Sequence, residues 1–422
     1  MPVLMTYPWA AEQLGIELID DESGADRLSD LVGIAIRRNP RRAHLLVSTV
    51  LGKHIPVDPR RVLGAGERLG VLVARRLAGD AASAVVFGYA ETATGLGHLV
   101  AQTLGADYVH STRRDAGTPS VVSFDEEHSH AQRHAVLPED PELLRRPTAI
   151  VLVDDELSTG RTALNTIAAL QVYAPREHYV VATLVDVRDE VARAEFAHAA
   201  RQFGVRIDVV SLAAGQVDIP DAVRNRATEI ADSRPAPAPD RCAAARPSSR
   251  IASWPADVRV SGRHGFSADD GLGAHASARD SAAAISPGLM GDRVLVLGTE
   301  ELMYVPLLIA LELQQREPER EVRFSSTTRS PVVAIDAAGY PIRTALAFPS
   351  TDLAVDEPGL RFAYNVLPAD GHKPFTDVVL VVDDVADSPA LTADDGLVAQ
   401  LAAHAAVHVV VVPALTAVAV SR

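Results

Sequence analysis

The sequence predicts an α/β protein, with a parallel sheet and crossover helices followed by a second, smaller α/β domain. Three observations carry this reading. From residue 84 onward, short β-branched apolar runs alternate with amphipathic runs at helical spacing, the pattern of parallel strands joined by helices. One strand, Ala149–Val153, runs into Asp154-Asp155-Glu156 and a Leu157-Ser158-Thr159-Gly160-Arg161-Thr162 turn that opens a helix. Beyond residue 286 the same succession of strands returns in outline.

Residues 1–27 are acidic, weakly patterned and read as an arm. Leu28–Arg38 reads as a short helix, Ala43–Val50 as a strand and Val62–Leu77 as a helix. Ala84–Gly88, Asp107–Ser111, Ala149–Val153, Tyr179–Val185 and Ile207–Leu212 are the expected parallel strands, being short, apolar and rich in β-branched residues. Gly97–Leu104, Thr162–Gln171 and Glu190–Phe203 are the helices between them. Residues 113–147 show no clear element, and so long a gap inside a domain is usually functional. The expected organisation is a first domain at 1–232, a Pro/Ala/Ser-rich linker at 233–286 and a second α/β domain at 287–422. Within the linker Arg234–Ser249 reads as flexible, and Arg259–Phe266 as a segment able to dock on a domain.

The chain has 422 residues, 47% hydrophobic and 23% charged, which is globular and ample for two or three cores. Its formal charge of −15 argues against nucleic acid or an anionic membrane as the main partner. A single cysteine, Cys242, excludes an internal disulfide and, with no signal-peptide pattern at the start, points to the cytoplasm. Ala405–Val420 is interrupted by His408 and Pro413; it is too short to span a membrane and reads as a buried strand. Lys53 and Lys373 are the only lysines.

The strand, acids, turn and helix at 149–170 form a place for a sugar phosphate. Backbone N–H groups and hydroxyls of Ser158, Thr159, Gly160, Arg161 and Thr162, at the positive end of a helix, can hold a phosphate. Asp154 and Asp155 can accept hydrogen bonds from a pair of ribose hydroxyls. These residues resemble the PRPP-binding motif of type I phosphoribosyltransferases, four apolar residues then D-D-x-x-S/T-x-G-x-S/T. Glu156 departs from it, standing where the family has an apolar residue.

The resemblance implies a type I phosphoribosyltransferase sheet and a PRPP-dependent transfer, assisted by Mg²⁺, to a base-like small molecule with release of pyrophosphate. Asp154 and Asp155 would sit below the anomeric carbon as positive charge develops there. The segment Phe87–Gly97 resembles the family's pyrophosphate loop, with Tyr89, Ala90, Glu91 and Thr92 as candidate contacts. Arg113 and Arg114 follow the next strand and can clamp pyrophosphate bidentately. Phe124–His134 lies where the family has a mobile loop that excludes water. Its histidines match no usual zinc spacing. For the acceptor the candidates are Lys53 and His54, in the region that forms a hood in the family, and Asp186 and Arg188 after a later strand. Mg²⁺ would be held mainly by substrate oxygens, with no protein metal ligand named.

Together with Leu45–Pro56, these motifs resemble the orotate-phosphoribosyltransferase-like branch found beside tellurium-resistance and stress-response genes in bacteria. In that branch a second domain is named for a Thr-Arg-Ser-Pro motif, here Thr328-Arg329-Ser330-Pro331, and Arg329 joins the acceptor candidates. Three segments of the second half match the first in order, which reads as a degenerate copy, the alternative being a shared plan of separate origin. Asp383-Asp384 aligns with Asp154-Asp155, but Asp387, Ser388 and Pro389 replace the phosphate turn, so no PRPP affinity is expected there. Glu300, Glu301 and Arg329 leave open a separate activity for that domain. A homodimer is compatible with this reading. The alternative function is a non-catalytic PRPP-sensing regulatory protein; the absence of a basic helix-turn-helix segment argues against one that binds DNA.

Overall fold

Two parallel sheets form from the apolar runs. The computed structural model describes residues 7–21, 24–38, 43–114, 120–125, 133–240, 248–251, 254–351 and 359–414. The first half begins with α1 (Pro8–Leu14), β1 (Glu17–Asp20), α2 (Leu28–Leu31), β2 (Val32–Ile36), β3 (His44–Ser48) and α3 (Pro59–Leu77). It continues through β4 (Val85–Gly88), α4 (Ala93–Leu104), β5 (Asp107–His110), β6 (Val122–Asp125) and β7 (Arg133–Val136). It ends with β8 (Ile150–Leu157), α5 (Arg161–Tyr173), β9 (His178–Asp186), α6 (Glu190–Phe203), β10 (Arg206–Asp218) and α7 (Val223–Asp232). Its sheet has the order β1-β10-β9-β8-β4-β5, parallel except for β1.

The second half holds β11 (Ser248–Ile251), α8 (Asp270–Ile285), β12 (Arg293–Gly298), α9 (Tyr304–Arg316), β13 (Glu321–Ser326), β14 (Ala345–Pro349) and β15 (Leu360–Tyr364). It closes with β16 (Asp377–Asp383), α10 (Pro389–Thr392), α11 (Leu397–Ala402) and β17 (Ala406–Val412). The order β11-β17-β16-β12-β13 is parallel throughout. Strand for strand this is β10-β9-β8-β4-β5 of the first sheet, with α8 packed on α9 as α3 is on α4. The hairpin β6–β7 touches the segment after β5 through Thr112 and Ala135; β14–β15 touches the segment after β13 through Thr328 and Phe362.

Several expectations are corrected. Leu28–Arg38 is one helical turn and then a strand, because Val32–Ile36 is buried on every residue and paired to β3, an environment in which helical spacing decides nothing. The arm at 1–27 contains α1 and β1. Residues 113–147 contain the hairpin β6–β7 and a 3₁₀ turn at Pro141–Arg145. The stretch 233–286 is not a linker throughout: it supplies the edge strand β11 and the helix α8, whose Ala and Ser residues allow close approach to α9. Arg259–Phe266 docks on the first sheet, where Phe266 and Tyr108 exchange backbone hydrogen bonds of 2.7 and 2.8 Å. Strand β8 runs on through both acids to Leu157. Cys242 and residues 126–132 of the expected cover lie outside the described residues.

The halves exchange arms. Gly52 accepts from Ser326 N–H at 2.8 Å at the end of β13, and Gly262 accepts from His110 N–H at 3.0 Å at the end of β5. Each glycine lies on an aromatic ring of the facing edge strand. A Cβ at Gly52 would come to 2.6 Å from the Phe324 ring, and one at Gly262 to 2.4 Å from the Tyr108 ring. Gly52 also has φ +73°, in the left-handed region. Gly52→Ala and Gly262→Ala should each lower stability by about 1–3 kcal/mol through overpacking, Gly52→Ala by roughly another 1 kcal/mol through its backbone. Gly64→Ala, on α3 with open space around the added methyl, should be neutral or stabilising. Urea unfolding of the three variants checks this; equal midpoints would remove the argument for tight arm packing.

Candidate active site

The C-terminal ends of β8, β4 and β5 bring together three segments able to face an anion. After β8, Gly160 turns the chain with φ +77° and starts α5. A Cβ there would meet the Phe196 ring at 2.5 Å, so glycine is required on two counts. The N–H groups of Ser158 and Gly160 donate to no atom among the described residues. Among the described residues no side chain caps α5, so the Ser158 and Gly160 N–H groups at this helix end are open to a phosphate. Thr162 lies in the first turn of α5. Asp154 and Asp155 stand half-buried on the strand just before, with Asp155 N–H donating to Asp154 Oδ1 at 2.9 Å.

The loop after β4 is pinned from below. Tyr89 is buried among Phe87 and Phe124, and its hydroxyl donates to Thr166 Oγ1 of α5 at 2.9 Å. Burial pushes that phenol well above its usual value. Ala90 N–H donates to Ser111 Oγ at 3.1 Å, and the Ala90–Glu91 peptide is cis. The N–H groups of Glu91 and Thr92 donate to no atom among the described residues. Arg113 is half-buried and donates from Nε to His134 Nε2 at 3.1 Å, while His134 Nδ1 lies 2.9 Å from Ser111 Oγ. An Nε2 that accepts leaves the proton on Nδ1. The hairpin β6–β7 is thereby tied to the loop it adjoins.

The other candidates stand at the boundary with the second half or in pairs of their own. Lys53, 1% exposed, bonds Glu91 Oε2 at 3.0 Å and the Glu300 carbonyl at 2.9 Å. Arg329 bridges Glu91 and Glu300 at 3.1 and 2.7 Å. Thr328 Oγ1 reaches Glu91 at 3.3 Å, and Arg361, which the sequence reading missed, bonds Glu300 at 2.7 Å. Burial would raise the Glu91 carboxyl, but Lys53, Arg329 and Arg113 together hold it below the usual range. Arg114 turns away from Arg113 to Asp383 at 2.5 Å. Arg188 and Asp186 form a buried pair at 2.9 and 2.7 Å, with the guanidinium 4.7 Å from the Phe196 ring, behind the turn at Gly160. His54 is buried against Tyr364; burial first, then Lys53 and Arg37, push its pKa down to about 3.

The second crevice differs position by position. Val85 pairs with Ile150 and Leu295 with Val378, so Asp383 corresponds to Asp155, and Asp154 to Val382; the sequence alignment was one residue out. By the same count Asp387 stands for Thr159, Ser388 for Gly160 and Pro389 for Arg161. Arg250 of β11 holds Asp387 bidentately at 2.6 and 2.5 Å.

Residues 31–216 match the family described as "Phosphoribosyl transferase", and residues 260–401 the family described as "TRSP domain C terminus to PRTase_2". Residues 31–216 are thus a phosphoribosyltransferase domain, and a C-terminal TRSP domain follows it. No curated protein matches it. Among solved structures it is similar to the adenine phosphoribosyltransferase of Rhodothermus marinus, at 18% identity over 44% of this chain and 96% of that one, with a TM-score of 0.31. The enzyme of Giardia lamblia complexed with 9-deazaadenine gives 17%, 44%, 97% and 0.29 in the same order. That of Leishmania tarentolae gives 16%, 46%, 94% and 0.32. No helix among the described residues is long and apolar enough to cross a membrane.

The buried rings around the site set a pH dependence. Burial lowers His98 well below its usual value and His110 to about 4, as it lowers His54 to about 3. The unfolded chain binds these protons near pH 6.5 and the folded one only at lower pH, so the stability they confer is present above about pH 6.5 and lost below it. Glu91 and Glu301, held low by their cations, extend the loss below about pH 4.5. Urea midpoints should be level between roughly pH 8 and 7 and fall steadily from about pH 6.5 to 4. A midpoint unchanged down to about pH 5 would contradict neutral burial of the histidines.

Proposed function

We propose that the first half transfers the 5-phosphoribosyl group of PRPP to a nitrogen of a base-like acceptor, releasing pyrophosphate. The observation that carries this reading is the convergence, at one sheet edge, of an uncapped helix start, a loop with two unbonded N–H groups and an arginine, with two carboxylates beside the first of them. The C1–O bond to pyrophosphate breaks, its electron pair leaves with pyrophosphate, and a C1–N bond forms. Ser158, Thr159, Gly160, Arg161 and Thr162 hold the 5′-phosphate. Asp154 and Asp155 hold the ribose hydroxyls and stabilise the positive charge that develops at the anomeric carbon. The N–H groups of Glu91 and Thr92, with Arg113, receive the pyrophosphate. Glu91 takes part through its backbone, since its carboxylate lies in the boundary between the halves.

Among the described residues no group of three or more His, Cys, Asp and Glu is arranged as a metal cage. The donor set instead suits Mg²⁺ carried on phosphate and hydroxyl oxygens, with Asp154 and Asp155 as the nearby carboxylates. When bound, the ion would neutralise charge on the leaving pyrophosphate.

Pyrophosphate release in the presence of PRPP, Mg²⁺ and a panel of base-like acceptors tests the reading. Asp154→Asn and Asp155→Asn should each reduce transfer by about 10²–10³ with little change in thermal stability. Release by both variants at the parent rate would remove the carboxylates from the reaction. Thr159→Asp should abolish PRPP binding in calorimetry, because it places a carboxylate where the phosphate sits, as Asp387 does in the second crevice. Parent-like affinity would reduce the turn to a helix start.

A further inference from the structure

The boundary between the halves is a reciprocal exchange. Gly88 pairs with His110 and Gly298 with Ser326, so Glu91 and Glu301 are equivalent positions, as are Thr112 and Thr328. Each glutamate is held by the other half's threonine: Thr328 reaches Glu91 at 3.3 Å, and Thr112 donates to Glu301 at 2.9 Å. Each also meets an arginine from that same segment, Arg329 at 3.1 Å from Glu91 and, one residue beyond the equivalent position, Arg114 at 4.0 Å from Glu301. The crossing arms add a cation each, Lys53 after Gly52 for Glu91 and Arg263 after Gly262 for Glu301. In its glutamates, threonines and arm cations this is the self-complementary pairing of a two-fold dimer, formed within one chain.

We propose that the second half is a built-in partner subunit that keeps the first half's loop at 89–92 able to bind pyrophosphate, with Arg329 as the positioning residue. Thr328 and Arg329 hold the Glu91 carboxylate in the boundary, 8% exposed, leaving the Glu91 and Thr92 N–H groups to the anion. Glu300 orients Arg329 and is itself held by Arg361. Charge counting supports this. Lys53, Arg329 and Arg361 against Glu91 and Glu300 give this paired cluster one net positive charge beside the loop, added to that of Arg113. Without Arg329 the cluster's own excess is gone, and a carboxylate that has lost a partner faces a polyanion.

The inference rests on the PRPP reading and is tested by calorimetry of PRPP, and of pyrophosphate alone, on the intact chain. Arg329→Gln should weaken both ligands by roughly tenfold. Arg329→Lys, which keeps the charge, should bind within a few-fold of the parent. Glu91→Gln/Arg329→Gln, which restores the net charge, should recover the affinity, a rescue that a purely structural role does not give. Glu91→Gln alone, the variant to use if Arg329→Gln does not fold, should bind at least as tightly as the parent. Parent-like binding by Arg329→Gln, no recovery in the double variant, or weaker binding by Glu91→Gln would each overturn the inference while the PRPP reading stands. A parent that binds neither ligand would overturn both.

Discussion

Two buried glutamates set the relation between the halves. A carboxylate removed from water costs several kcal/mol unless matched by charge and hydrogen bonds, and breaking such a match is worse than never having built it. Glu91 and Glu301 are 8% and 4% exposed, and each takes its arginine and its threonine from the opposite half. A slip of one residue at either edge strand would take the threonine and the arginine away from one of them. Adhesion comes from elsewhere, from apolar residues of α3, α4, α8 and α9 that join one continuous core. The ionic exchange contributes alignment: it determines which loop of one sheet meets which loop of the other.

That alignment explains several local features at once. Glycine at 52 and at 262 lets each arm lie on an aromatic ring of the facing strand, which delivers Lys53 and Arg263 to their glutamates. The Thr94 hydroxyl, at the start of α4, is shared between the carbonyls of Glu91 and Glu301 at 3.0 and 2.9 Å, coupling the loop after β4 directly to the loop of the other sheet.

Sequence was informative where chemistry is local. Asp154, Asp155, the small-residue turn and the Gly-rich loop lie within short windows, and their residue types declare what they can bind. The alternation of strands was legible because β-branched runs separated by helical spacing have few other interpretations. Partnership was hidden wherever it spans long separations: Lys53 stood out as a rare lysine, but nothing near it named Glu91 or the Glu300 carbonyl. Val32–Ile36 is buried on all sides and so carries no periodic signal. Helix α8, rich in Ala, Ser and Gly, has the composition of a linker because its buried face must let α9 come close. The shift between Asp383 and Asp154 could be corrected only by hydrogen-bond register.

The comparison of the two crevices separates what a ligand requires from what the boundary requires. The second keeps the glutamate, the threonine after the edge strand and the crossing cation, every part of the exchange. It lacks the parts that would face a phosphate. Gly160, left-handed in the first crevice, becomes Ser388 with extended backbone. The long α5 becomes the four-residue α10, opened by a proline that lacks an N–H. Thr159 becomes Asp387, and the protein supplies Arg250 to neutralise it. A turn that carries its own carboxylate, already paired, has no reason to receive an external anion. A domain retained for a second ligand would have kept the turn, and one retained only as filler would have had no need of a buried glutamate with three partners. Keeping the exchange while dismantling the turn is the pattern expected of a domain held for its contact with the first.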